Sequence, residues 1–431
     1  MKGRAVYIKT FGCQMNEHDT ERMLGIFESK GFIEVEEPKK ADIVVFNTCA
    51  IRQKAEQKFL SSLGRIKHLK KKNPELKIIV AGCVAQLQGE KLLDRVPYID
   101  YIIGPDNIHM IENILENQIS NKIFTDENPL VANIKIPAKR MHHVKAWVNI
   151  MYGCNNYCAY CVVPYTRGRE RSRPVESILE EIRLLGESGF KEITLLGQNV
   201  NSYRDGDIDF PSLLEKINEI KGIERIRFVT SHPKDLSKRL INAIKYCDKV
   251  CEHIHLPLQA GSNKILKLMN RKYTYEEYFE KICWLREAIP DISITSDIIV
   301  GFPQEQDEDF EKTINALKEI QFDGIFAFKF SPRTGTVAAK LDGQISEEVK
   351  SQRLTEILKL QDKITERKNK LLEGTIQEVL IEDKDEEEYS TGRTRTNKIV
   401  KIASDIGTGK IINVKIIKAH RHSLEGEIIK Q

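Results

Sequence analysis

Three cysteines, Cys154, Cys158 and Cys161, stand in a C-x3-C-x2-C spacing just after a strand-like run. Spacing this close turns three sulfurs toward one centre, and thiolates are soft ligands suited to zinc or an iron-sulfur cluster. A structural zinc wants four ligands, and no fourth cysteine or histidine lies at finger spacing; His142 and His143 sit upstream across the strand. A 4Fe-4S cube on three cysteines leaves one iron without a protein ligand, where a substrate can bind. Three further cysteines, Cys13, Cys49 and Cys83, are far apart in sequence, yet each follows a strand-like run within a few residues, in Thr10-Phe-Gly-Cys13, Phe46-Asn-Thr-Cys49 and Val80-Ala-Gly-Cys83. Parallel strands put their C-terminal ends on one edge of a sheet, the edge where α/β folds bind ligands. That placement brings the three thiols together; the plainer alternative is three small residues buried at strand ends. Gly12 and Gly82 would let the backbone approach a bulky cluster. Cys247, Cys251 and Cys283 lack a third ligand at useful spacing and read as core or surface residues.

The elements that must hold these thiols follow from hydrophobic periodicity. Apolar runs at Ala5 to Ile8, Ile43 to Phe46 and Leu76 to Val80 alternate with charged helical segments, which predicts a parallel α/β domain over 3–121. A linker is expected near Asn117 to Asn133. Six strand-helix repeats follow, with strands at Trp147 to Met151, Glu192 to Leu196, Arg225 to Val229, His253 to Leu256, Ile292 to Ile299 and Ile325 to Phe330. They predict a (βα)6 partial barrel, the core of a unit over 140–370. A charged helix from Glu347 to Leu372 ends at Gly374, and short Val, Ile and Thr runs over 373–431 predict a small β-barrel.

At 431 residues, with 41% hydrophobic and 30% charged residues, the chain has the composition of a soluble multidomain protein. Its longest apolar runs are strand-sized and its first residues lack a signal core, so a cytoplasmic place and no membrane span are expected. Nine cysteines in that reducing compartment argue for metal or catalysis rather than disulfides. A net charge of +4 says little about nucleic acid, so local clusters must carry that question. Arg167, Arg169, Arg171 and Arg173 alternate, which in an extended segment forms a row able to meet phosphates, or else internal salt bridges. From Arg393 to Lys430 nine basic residues, Arg393, Arg395 and Lys398 among them, face three acids, as in small RNA-binding barrels. The acidic run Glu382 to Glu388 is expected in a solvated hairpin away from RNA.

The triad with Tyr160 before its third cysteine resembles the radical S-adenosylmethionine (SAM) superfamily. Over nearly its whole length the chain is similar to the methylthiotransferase family, in Phe11-Gly-Cys-Gln-Met-Asn-Glu, Asn47-Thr-Cys-Ala, Ala81-Gly-Cys and Cys154-Asn-Asn-Tyr-Cys-Ala-Tyr-Cys. Gly392-Arg-Thr-Arg-Thr-Asn-Lys398 resembles the TRAM domain of those enzymes. The resemblance implies a SAM-cleaving 4Fe-4S cluster on Cys154, Cys158 and Cys161, and an auxiliary 4Fe-4S cluster on Cys13, Cys49 and Cys83 that carries the transferred sulfur. SAM contacts are implied at Tyr160 and at the strand ends, at Gln198, Ser231, Gln259, Asp297 and Ser331, the alternative for the last five being polar residues that cap strand ends. Gln14-Met-Asn-Glu-His-Asp resembles the branch acting on isopentenyladenosine beside the tRNA anticodon, rather than those acting on threonylcarbamoyladenosine or a ribosomal-protein aspartate. Implied partners are tRNA, a sulfur donor and an electron donor such as flavodoxin or ferredoxin, acting on a monomer. Ala260, Gln304 and Thr334 depart from the family's usual serine, glycine and proline. From other classes, a non-catalytic metal-containing RNA-binding protein would carry zinc and leave SAM uncleaved; a metal-dependent hydrolase would show His and carboxylate ligands.

Overall fold

The computed structural model describes residues 4–50, 53–384 and 389–429. Strands β1 (Arg4–Thr10), β2 (Phe32–Glu34), β3 (Ile43–Thr48), β4 (Lys77–Gly82), β5 (Tyr101–Ile103) and β6 (Ile123–Phe124) form one parallel sheet in the order β2-β1-β3-β4-β5-β6. Both faces are covered, as a parallel sheet requires: Val44, Phe46, Ile78 and Val80 enter one apolar core, Ile43, Val45, Ile79 and Ala81 the other. Strand β6 lies inside the stretch read as linker; two residues give no periodicity to detect. Helices α1 (Gln14–Ser29), α2 (Gln53–Lys72) and α3 (Cys83–Arg95) begin at the edge where β1, β3 and β4 end.

The next six strands are β7 (Lys145–Asn149), β8 (Glu192–Leu196), β9 (Arg225–Phe228), β10 (His253–His255), β11 (Ser293–Val300) and β12 (Gly324–Lys329). They form two parallel three-stranded sheets, β9-β8-β7 and β10-β11-β12, joined through a parallel bridge between Ile226 and Val250. This is the expected (βα)6 partial barrel. Outward residues such as Ile193, Ile226, Ile254, Ile294 and Ile298 join the core beneath the surrounding helices, leaving the alternate positions for the inner face. Helix α4 (Glu347–Lys370) follows the last strand; Ser346 caps its first turn, and the chain turns away at Gly374, with φ of 83°.

Strands β13 (Ile376–Lys384), β14 (Ser390–Thr394), β15 (Ile399–Ile402), β16 (Ile411–Ala419) and β17 (Leu424–Ile428) close into a barrel in the order β13-β14-β15-β17-β16. The turn from β14 to β15 docks against the partial barrel. On β9, Arg225 Nη1 donates to the carbonyl of Arg393 at 2.7 Å and Nη2 to the Glu378 carboxylate at 2.8 Å. Arg227 donates to the carbonyls of Arg395 and Thr394 at 2.9 and 2.8 Å.

Three expectations change here. Arg395 grips both Glu252 oxygens at 2.8 Å, Lys398 lies 3.4 Å from Asp323, and Arg393 lies 3.5 Å from Glu382. Arg395 and Lys398 thus clasp the two domains together, each finding a carboxylate on the facing surface, whereas Arg393 pairs within its own barrel. Glu382 is likewise no solvated acid; it pairs with Lys145 across the same interface at 3.0 Å. Residues 385–388 of that run and Lys430 lie outside the described residues.

Candidate active site

Cys13 ends the loop after β1 and is the N-cap of α1, Cys49 follows β3, and Cys83 opens α3 directly after β4. A hydrogen-bond ladder fixes these three loops to one another. The Asn16 amide donates to Asn47 Oδ1 and to the Thr48 carbonyl, both at 3.0 Å; Asn47 donates back to the Asn16 carbonyl at 2.7 Å. The Thr48 hydroxyl then reaches the Ala81 carbonyl at 2.6 Å. The two glycines serve this packing. A Cβ on Gly12 would meet the Cys49 Cβ at 2.5 Å, and one on Gly82 the Thr48 carbonyl at 2.4 Å; both have positive φ. The thiols interact as a group: a hydrogen bond with Cys49 brings Cys13 down to about 6, with Arg167 adding to the effect against the opposing burial. Burial pushes Cys83 up and Arg167 opposes it.

The second triad occupies the loop beyond β7. Cys161 N donates to the Cys158 carbonyl at 2.9 Å, and Val163 N approaches Cys161 Sγ at 3.4 Å. Burial and the neighbouring Cys158 raise Cys161 to about 12, and burial raises Cys154. One residue that sequence reasoning missed governs this loop. Arg271 is buried with Nη1 3.4 Å from Cys158 Sγ and 3.5 Å from Tyr160 Oη, Nη2 on the Pro257 carbonyl and Nε on Tyr273 Oη. A lone arginine between two helices has no spacing that marks it.

The two triads are tied together. Val162, next to Cys161, packs into the core of the N-terminal domain with Phe11, Phe46 and Cys83. Met15, two residues after Cys13, packs on Trp147 of β7 and Leu196 of β8. The arginine row expected to face RNA is folded inward instead. Arg167 pairs with Asp19 at 2.7 Å, Arg171 with Asp106 at 2.7 Å and Arg173 with Glu181 at 2.7 Å. Arg169 alone of the four is exposed. The internal salt bridges win because a buried guanidinium needs a carboxylate, and the N-terminal domain supplies two of the three.

At the C-terminal ends of the strands, buried polar atoms stand without partners: Gln198 Oε1 and Nε2 after β8, Ser231 Oγ after β9 and Gln259 Oε1 after β10. Gln259 has φ of 75° and is bridged to Ile298 of β11, which fixes its backbone at this edge. Asp297, on the inner face of β11, lies 3.5 Å from His255 Nε2, and Ser331 follows β12.

Three family models match: Radical SAM superfamily over 148–317, Uncharacterized protein family UPF0004 over 5–104, and TRAM domain over 370–429. The tRNA-2-methylthio-N(6)-dimethylallyladenosine synthase of Thermodesulfovibrio yellowstonii is 80% identical over 429 residues, covering all of both chains. The chain belongs to this radical SAM synthase family. The enzyme of the same name from Thermoanaerobacter pseudethanolicus is 48% identical across all of this chain and 94% of its own. The fold is also shared with the radical SAM methyltransferase TsrM from Kitasatospora setae, with a TM-score of 0.60 at 12% identity, over 78% of this chain and 77% of that one.

Members of the family bind SAM and 4Fe-4S clusters, the second cluster in the N-terminal domain. The residues present fit these groups. Each triad has a buried guanidinium beside it to offset thiolate charge, Arg167 for the first and Arg271 for the second. The partnerless atoms of Gln198, Ser231 and Gln259 match a polar ligand at the strand ends. Cys247 and Cys251 are buried and Cys283 exposed, and all three are free.

Proposed function

We propose that this chain methylthiolates carbon 2 of N6-isopentenyladenosine at position 37 of tRNA. The reading is carried by identity of 80% over the full length of a synthase so named, and the juxtaposed cysteine triads supply what such chemistry needs. Cys154, Cys158 and Cys161 would hold the cluster that cleaves SAM, with Tyr160, Gln198, Ser231, Gln259, Asp297 and Ser331 around the bound SAM. Cys13, Cys49 and Cys83 would hold the auxiliary cluster. When bound, these groups supply a deoxyadenosyl radical and a methylated sulfur. The protein's own part is to fix the spacing: Val162 and Met15 lock one triad's domain against the other's. The Asn16–Asn47 ladder holds the three N-terminal loops in register.

With the clasp and the inward arginines unavailable, the sugar-phosphate backbone would lie along α2. Between Gln57 and Pro74 this helix carries six Lys and Arg and no acid. Phe59, Leu63 and Ile66 are buried, while Lys58, Arg65, Lys67, Lys71 and Lys72 are exposed. We assign units at 3–121, 140–370 and 373–431, a cytoplasmic place, a monomeric state, and a sulfur donor and a flavodoxin or ferredoxin as reductant. Among the described residues no helix is long and apolar enough to cross a membrane.

The test is mass spectrometry of digested tRNA from cells with and without the gene. Methylthio-isopentenyladenosine should vanish and return with it. Loss of the threonylcarbamoyl form instead would move the substrate assignment.

A further inference from the structure

Among the inward arginines, Arg167 differs from its neighbours. Arg171 and Arg173 use both terminal nitrogens on protein acceptors. Arg167 places Nη2 on Asp19 Oδ2 at 2.7 Å, but its Nη1 and the other Asp19 oxygen are buried without partners. Both side chains are almost fully buried, at 4% and 2% exposure. The pair joins two domains: Asp19 lies on α1, six residues past Cys13, and Arg167 six residues past Cys161. A desolvated ion pair with a buried donor and a buried acceptor left unpartnered contributes little to stability alone. It lies, however, against the N-terminal cysteines: Asp19 is on the helix that Cys13 caps, and Arg167 follows Val162, which packs in one core with Cys83.

We propose that the Arg167–Asp19 pair sets the reduction potential of the cluster bound by Cys13, Cys49 and Cys83, with Arg167 raising it and Asp19 lowering it. The inference rests on the assignment of those cysteines as cluster ligands. A reduced cluster is more negative than an oxidised one, so a fixed cation beside it favours reduction and a fixed anion opposes it. Net charge and hydrogen bonds near the sulfurs are established levers on such potentials. In a dry site the charges act through little screening. Arg167 is thereby a positioning residue for charge, and it sits on the chain segment leaving the SAM triad, so the two cysteine sites share one electrostatic element.

The experiment is a redox titration with dithionite, followed by electron paramagnetic resonance, on the full chain carrying C154A, C158A and C161A so that only the auxiliary site can load iron. Arg167→Gln should move the midpoint to more negative values and Asp19→Asn to more positive ones, with Arg167→Lys close to the parent. Opposite signs are the signature, because loss of packing has no reason to produce them. If Arg167→Gln fails to load iron, Asp19→Asn decides: an upward shift supports the proposal, and an unmoved or lowered midpoint overturns it. Shifts of the same sign from both substitutions overturn it too. A parent that loads no iron overturns the cysteine assignment itself, and the inference with it.

Discussion

Arg271 places a permanent cation and a forked donor against Cys158, Tyr160 and Tyr273 at once. Hydrogen bonds to charged groups are worth about 1.5–3 kcal/mol, and each 1.36 kcal/mol is about tenfold in rate. Arg271→Gln keeps some polarity but loses the charge and the fork. We expect SAM cleavage to deoxyadenosine to fall by about ten- to a hundredfold with iron content retained, measured by chromatography of the product. Unchanged cleavage would reduce Arg271 to a loop staple. Single residues also mark where the sequence was legible. The placement of Cys13, Cys49 and Cys83 was, because each follows an apolar run of strand length. The arginine row was not: Arg167 and its acid are 148 residues apart, and no local pattern reports a carboxylate from another domain. Gln304 was noticed only as a departure from glycine; its φ of 67° shows that the glycine-like conformation remains.

At the scale of elements, α2 presents an exposed basic face. Of its cations Lys70 is engaged, with Asp100 at 2.9 Å. Lysines in a last turn also suit the helix dipole, so the surface needs a test that separates the two roles. Phosphate contacts release counterions, and each one lost lessens the salt dependence of binding, by about 0.7 to 0.9 in log-log slope. Replacing Lys58, Lys67 and Lys71 with alanine should weaken tRNA binding and flatten its salt slope while cluster content and unfolding midpoint stay put. An unaltered slope would leave α2 a solvated face. The element boundaries were legible to within a few residues wherever a strand had four or more positions to alternate. Strand β6 escaped because it has only two.

At the scale of the whole molecule, the C-terminal barrel is held by polar contacts that the motif reading had assigned to RNA. Composition could count the charges of Gly392 to Lys398 but not say which surface they meet. Arg225 and Arg227 reach the backbone carbonyls of Arg393, Thr394 and Arg395, and Arg225 adds the Glu378 carboxylate. Hydrogen bonds made by a charged group are worth about 1.5–3 kcal/mol. Arg225→Ala should therefore loosen the barrel before it loosens the rest, seen as faster amide exchange over 390–402 with the N-terminal sheet unaffected. Uniform exchange across the chain would argue instead for a single cooperative body.

Helix α1 has a polar side with no freedom to drift. Asn16, His18, Asp19, Glu21 and Arg22 are all buried, and Glu21 and Asp19 are answered by Arg140 and Arg167 of the following domain. In hereditary terms, that helix and the 139–173 segment form one unit of descent: a change on either side must be met by a change on the other. A gene stitched from the first half of one relative and the second half of a distant one should inherit both sets of cysteines and still fail, unless α1 travels with the arginines that read it.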